Sequence, residues 1–219
     1  MVQAPDCNKQ IHLTDERNLV KLPGKPITTA RARTVPVSSL AEFRNLLMKV
    51  QERDDCCLIL GYVPGTEDGR KFSILSQARM RRVLELKDDE AIPAEPVEGK
   101  NGSLLVTRTR KIFQFSSIGL FDYDRVKGMP EALEFDAPLD WLHAMEPVVP
   151  GFATAGRLLV PSTSSRVLLN GQAAFSGGGW HCYVQFGDAT DLNRFGPELM
   201  VHTMSTEYGF MRPIFCQTS

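Results

Sequence analysis

The sequence predicts an α+β fold, and three observations carry that reading. Leu40, Phe43, Leu46, Leu47 and Val50 recur at helical spacing behind a capping pair, Ser39 and Glu42. Apolar runs of strand length recur at 57–63, Leu104–Thr107, Ile118–Tyr123 and 180–186. Helices and hairpin signals are interspersed, with no repeated strand–helix–strand unit, so α+β is favoured over a doubly wound parallel sheet.

Residues 1–37 are rich in Pro, Thr, Lys and Arg without sustained periodicity, and are expected to form an irregular N-terminal arm; residues 38–219 are expected to form one α+β domain. The capping pair opens an amphipathic helix over 39–53. The run Cys-Leu-Ile-Leu-Gly-Tyr-Val at 57–63 reads as a buried strand ended by Pro64-Gly65. Over 70–87, Arg70, Lys71, Arg79, Arg81, Arg82 and Lys87 face one acid, Glu85, which fits either a solvated helix face or a phosphate-contacting patch. Residues 88–103 read as a surface loop. Leu104–Thr107 and 111–115 suit either two short strands or a strand and a turn, followed by the strand Ile118–Tyr123.

Further on, 139–145 reads as a short helix packed by Leu139, Trp141 and Leu142, and 156–160 and 166–169 as extended pieces. Asn170-Gly171 is a hairpin signal between them and Ala173-Ala174-Phe175. The alternation Trp-His-Cys-Tyr-Val-Gln-Phe at 180–186 gives a half-buried strand. Residues 188–207 read as a helix interrupted at Gly196-Pro197, and 210–216 as a last strand.

The 219 residues are 42% hydrophobic and 23% charged, ordinary for a folded protein with a buried core. A formal net charge of -1 supplies no global attraction to nucleic acid or to an anionic membrane, so such a partner must meet a local patch. Cys7, Cys56, Cys57, Cys182 and Cys216 form an odd set without a C-x-x-C pair, which suits a reducing cytoplasmic setting and gives no zinc signature. No apolar stretch is long enough to span a membrane, and the N-terminus lacks a secretory plan.

Three features of the second half carry chemistry. Asp122 and Asp124 close the apolar run Ile118-Gly119-Leu120-Phe121-Asp122-Tyr123-Asp124, and residues i and i+2 of a strand share a face. Two like charges held so close call for a proton, a hydrogen-bond network or a hard divalent cation such as Mg²⁺ or Mn²⁺. The hydroxyl run Pro161-Ser162-Thr163-Ser164-Ser165-Arg166 and the turn Ser176-Gly177-Gly178-Gly179-Trp180-His181 supply hydroxyls, backbone N–H groups and cations. Together these suit a nucleoside triphosphate, with carboxylates on the metal and the other groups on phosphate oxygens. The glycine turn lacks the Gly-Lys-Ser/Thr ending of a P-loop. Trp180 reads as core in preference to a base-stacking platform; His12, His143 and His202 have no ligand spacing.

The pattern Leu120-Phe121-Asp122-Tyr123-Asp124, then Pro-Ser-Thr-Ser-Ser, then Ser-Gly-Gly-Gly-Trp-His-Cys-Tyr-Val resembles the archaeo-eukaryotic primase superfamily, in particular the primase-polymerase domains of phages and plasmids. The resemblance spans about half the chain, from Leu104 onward. It implies an RRM-like antiparallel sheet with flanking helices, preceded by an N-terminal α/β portion. It further implies Asp122 and Asp124 as catalytic metal ligands for two Mg²⁺ or Mn²⁺ ions, with no organic cofactor. His181 is then a catalytic contact to the incoming nucleotide, with Ser162, Ser164, Ser165, Arg166, Ser176 and Gly179 lining the nucleotide site. The implied activity is template-dependent nucleotidyl transfer, with nucleoside triphosphates, a single-stranded DNA template and a helicase domain or partner.

Two departures from the family pattern matter. Gly179 stands where the family has the serine of Ser-x-His, and no third acid matches, since Asp188, Asp191 and Glu207 fall in the expected helix. The expectation is therefore a chain that ends before the third motif of a longer primase–helicase protein, with weakened metal binding. A primase-like module that binds single strands or a replication partner without catalysis is the second reading, and another D-x-D phosphotransferase or nuclease the third.

Overall fold

The computed structural model describes residues 1–5, 10–15, 19–22, 24–125, 129–162, 165, 167–173 and 179–204. Among them the fold is α+β, with a mixed sheet and four α-helices. The chain divides into two compact units, residues 1–116 and a second that begins at Ser117, each with its own core. Among the described residues no helix is long and apolar enough to cross a membrane.

The first unit holds β1 (Val2–Gln3), a separate hairpin of β2 (Gln10–Leu13) and β3 (Leu19–Leu22), β4 (Thr29–Arg33), α1 (Leu40–Gln51), β5 (Cys56–Cys57), β6 (Lys71–Leu75), α2 (Gln77–Leu84), β7 (Val97–Glu98) and β8 (Leu104–Thr107). Six strands form one sheet in the order β5-β1-β4-β6-β8-β7, parallel only between β6 and β8. The expected irregular arm over 1–37 is thus corrected, since four strands fall within it. The reason lies in β4, Thr-Ala-Arg-Ala-Arg. Ala30 and Ala32 are buried while Thr29, Arg31 and Arg33 are exposed, and an alternation whose inward members are alanines carries little hydrophobic signal.

Helix α1 forms as expected. Ser39 Oγ accepts from the Glu42 N–H at 3.2 Å, while the Glu42 carboxylate accepts from Ser38 N–H and OγH, and Phe43, Leu47 and Val50 are buried. The expected strand over 57–63 pairs only at Cys56–Cys57. Beyond it Gly61 takes φ +131, with Gln114 O where a Cβ would sit, and Tyr62 makes a lone bridge to Gln114. The basic run over 70–87 is not one helix face, because Lys71–Leu75 is a strand and Ser76 caps α2 by accepting from the Arg79 N–H. Leu104–Thr107 is a strand and Arg110–Ile112 a 3-10 turn, the strand-and-turn form of the two readings open from sequence.

The second unit holds β9 (Ile118–Tyr123), α3 (Pro138–Met145), β10 (Arg157–Pro161), β11 (Leu168–Leu169), β12 (Gln172–Ala173), β13 (Trp180–Gln185) and α4 (Leu192–Met204). An antiparallel sheet in the order β10-β13-β9 packs one face on Trp141, Leu142 and Met145 of α3 and on Val148, Val149 and Phe152. Burial of Trp141 and Phe152 at 2% and 1% exposure makes them main anchors; truncation of either is worth about 3–5 kcal/mol. Asn170 at φ 55 and Gly171 at φ 80 turn the β11–β12 hairpin as expected. Pro197 does not interrupt α4, whose Leu192 and Leu199 are buried. The strand expected over 210–216 lies outside the described residues.

Candidate functional site

The candidate site is the face of the β10-β13-β9 sheet opposite its core. Side chains alternate along each strand, so Trp180, Cys182 and Val184 with Phe121 and Tyr123 serve the core, whereas His181 and Asp122 share the other face. Trp180 is buried and stacks on Tyr123 with ring centroids 5.1 Å apart, the core role favoured from sequence.

Asp122 and His181 are direct cross-strand partners. Asp122 Oδ1 lies 3.3 Å from His181 Nε2, with the two side chains 19% and 30% exposed. The two stand at ion-pair distance, with no hydrogen bond between Asp122 Oδ1 and the ring. Two positions further along, just past the last ladder pair Trp180–Tyr123, Gly179 comes beside Asp124, on the same face as His181. A Cβ at Gly179 would collide with Asp124 Oδ1 and lie 2.8 Å from Ser162 Oγ and 3.0 Å from Tyr123 O. The carboxylate of Asp124 and the hydroxyl of Ser162 therefore flank a position that only glycine leaves open.

The Gly179 backbone is clamped from β10's end. Its carbonyl accepts from Ser162 N–H at 2.9 Å and from Ser165 OγH at 2.6 Å, and its own N–H donates to Ser165 Oγ at 2.9 Å. Ser162 and Ser165 hydroxyls lie 2.7 Å apart. A hydroxyl has one proton, and that of Ser165 goes to Gly179 O, so Ser162 is the donor in this pair. Both protons are then committed within the protein. Ser162 keeps lone pairs and has no proton for a phosphate oxygen, while Ser165 acts on the Gly179 backbone.

The structure thus brings together Asp122, Asp124, His181, Gly179, Ser162 and Ser165. Ser164, Arg166 and Ser176 lie outside the described residues. Asp188 accepts from Thr190 N–H and OγH at the start of the segment leading into α4, and Asp191 pairs with Arg194, so both acids serve that helix entry. Sequence reasoning missed Tyr123, whose hydroxyl donates to Leu133 O at 2.9 Å and accepts from Phe135 N–H at 2.8 Å. The signal was present in the alternation Asp-Tyr-Asp, which turns the aromatic inward between two outward acids. Arg125 pairs with Asp136, which raises the guanidinium's pKa through their hydrogen bond.

Among the described residues no group of three or more His, Cys, Asp or Glu side chains is placed to hold a metal ion. The donors present nonetheless fit one kind of ion. Mg²⁺ and Mn²⁺ take oxygen ligands, and Mg²⁺ is commonly held by one or two carboxylates together with substrate phosphates, which Asp122 and Asp124 on one face can supply. No family model, curated protein or solved structure matches the chain.

Proposed function

We propose that the second unit is a nucleotidyl-transfer site of primase-polymerase type, built on an RRM-like antiparallel sheet and acting on nucleoside triphosphates along a single-stranded DNA template. The observation that carries this reading is the cross-strand meeting of Asp122 with His181 at 3.3 Å, beside Asp124 at Gly179. Carboxylates, an imidazole and a side-chain-free backbone position are what a triphosphate with its counter-ion requires. When bound, Mg²⁺ or Mn²⁺ supplies Lewis-acid neutralisation of phosphate charge. Asp122 and Asp124 would hold that ion, with the His181 imidazole standing beside Asp122. His181 offers a ring nitrogen to the nucleotide and contributes by position and not by proton transfer. Gly179 leaves room for the nucleotide and for Asp124 together, and Ser165 keeps it there.

Binding without catalysis is the second reading, favoured by the lack of a third carboxylate beside the pair among the described residues. One experiment separates the two. With Mn²⁺, a labelled primer–template and nucleoside triphosphates, the wild type extends the primer, and Asp122→Asn or Asp124→Asn lowers extension by at least about 100-fold with an unchanged melting temperature. Full activity in either variant would falsify the metal assignment; Mn²⁺-independent strand binding with no extension by the wild type would establish the second reading.

A further inference from the structure

The near-zero net charge conceals a strong separation along the chain. Residues 1–116 hold 19 Lys and Arg against 15 Asp and Glu, a formal +4, whereas residues 117–219 hold 6 against 11, a formal −5. The acidic half carries the paired carboxylates. The basic half carries a surface with three exposed cations, Arg31, Arg33 and Lys71.

That surface is the middle of one face of the six-stranded sheet, between Cys56, buried on β5, and Leu75 and Leu105, buried at the β6–β8 end. Cross-strand register places Gln3, Arg31 and Ser73 in one row and Arg33 with Lys71 in the next, all on the same side. Arg31, Arg33 and Lys71 are exposed, whereas Ala30, Ala32, Phe72 and Ile74 on the opposite side are buried in the core. On the same face α2 covers only the β6–β8 end, where Met80 packs on Leu75 and Leu105, and α2 itself carries the exposed Arg79 and Arg82. Asp55, beside Gln3 at one end of this row, is held by Arg53 at 3.0 Å and by Gln3 at 2.7 Å, and these bonds keep it ionised far below the usual carboxylate range; at the other end Asp68 accepts from the Arg70 N–H. Asp55 is therefore a neutralised edge and not a competitor for the three cations.

We infer that the exposed face formed by Gln3, Arg31, Arg33, Lys71 and Ser73 binds the phosphate backbone of single-stranded DNA. Successive cations on one strand stand roughly 6.8 Å apart, and Lys71 extends the row onto the neighbouring strand, which forms a positive stripe for a polyanion. The hydroxyl of Ser73 adds a neutral donor. Among the described residues no aromatic side chain joins the stripe, so contact is with phosphates and is indifferent to sequence. Among the described residues no large exposed apolar residue joins it either, which argues for a nucleic acid over a membrane surface, where an apolar wedge accompanies the cations. The identity of the strand as a template rests on the proposed function; the electrostatics of the stripe does not.

The test is fluorescence anisotropy of a labelled oligo-dT across a KCl series, on the full chain. Wild type binds with an affinity that falls as salt rises. Arg31→Ala/Arg33→Ala/Lys71→Ala is expected to weaken binding at least about tenfold at low salt and to flatten the log K against log salt slope by about 2, from three lost phosphate contacts. Arg31→Lys/Arg33→Lys, which keeps the charge, is expected to retain the wild-type slope and guards against a folding defect. A triple variant with unchanged affinity and slope overturns the proposal, as does wild-type binding to phosphatidylserine vesicles with none to oligo-dT. Asp122→Asn/Asp124→Asn keeps strand binding while abolishing extension, so a failure of the nucleotidyl-transfer reading and a failure of the stripe give different patterns.

Discussion

Gly179→Ala tests whether Asp124 occupies the space above that glycine. The new methyl would meet three atoms with different freedom to yield. Tyr123 O, at 3.0 Å, is backbone of a paired strand, and Ser162 Oγ, at 2.8 Å, is bound to Ser165; neither moves readily. Asp124 is an exposed side chain that can turn aside, leaving its preferred rotamer at a further cost of about 0.5–1 kcal/mol. Overpacking against the first two costs about 1–3 kcal/mol, and the smaller unfolded-state entropy of alanine offsets about 0.4–1 kcal/mol of that. The net expectation is a loss of roughly 1–3 kcal/mol in urea unfolding at unchanged m-value. In an Asp124→Ala background the penalty should shrink by about 0.5–1 kcal/mol, because the displaced oxygen is already gone. Calorimetry with a Mn²⁺–nucleoside triphosphate should show Gly179→Ala binding as weakly as Asp124→Ala. Equal penalties in both backgrounds, together with wild-type nucleotide affinity, would refute the steric reasoning.

Ser165→Ala removes the hydroxyl that both accepts from and donates to Gly179, and should destabilise the chain by about 1–3 kcal/mol in chemical denaturation, with nucleotide affinity reduced as well. Tyr123→Phe strips two bonds to the Leu133–Phe135 segment from a buried phenol and should lose a similar amount, with faster amide exchange at Phe135 as the specific readout. Burial raises the Cys182 thiol to about 11 from its usual 9.0, so the folded state holds its proton over a range where the unfolded state has released it. Stability from this group is full below about pH 9 and falls by about 1.4 kcal/mol per pH unit up to about pH 11. The melting temperature of wild type should drop more steeply than that of Cys182→Ala across this window; parallel curves would contradict it.

Much of the second unit was legible because its signals are local. Asn170-Gly171 sets its hairpin by φ, the Trp180-to-Gln185 alternation sets strand polarity, and Asp122 with His181 follow from that alternation once two strands pair. Their pairing register is non-local and became visible only in the fold. The role of Ser162 and Ser165 was not legible, since a serine run says nothing of where its protons go until an opposing backbone is in place. In the first unit the small alanines of β4 hid a central strand, and Lys71 opens a strand whose basic start blends into the arginines of α2. The charge separation was in the sequence throughout, but it required the boundary at Ser117 to be seen.

One hydroxyl also ties together chain positions 14 residues apart, Ser165 and Gly179. A strand-to-strand excursion fastened at its neck carries its closure entropy there, and each doubling of its length then changes stability by only about 0.6 kcal/mol. Foreign peptide spliced into the β11–β12 tip should leave the neighbouring ladder in register, which makes that tip a port for a fluorophore or an affinity tag.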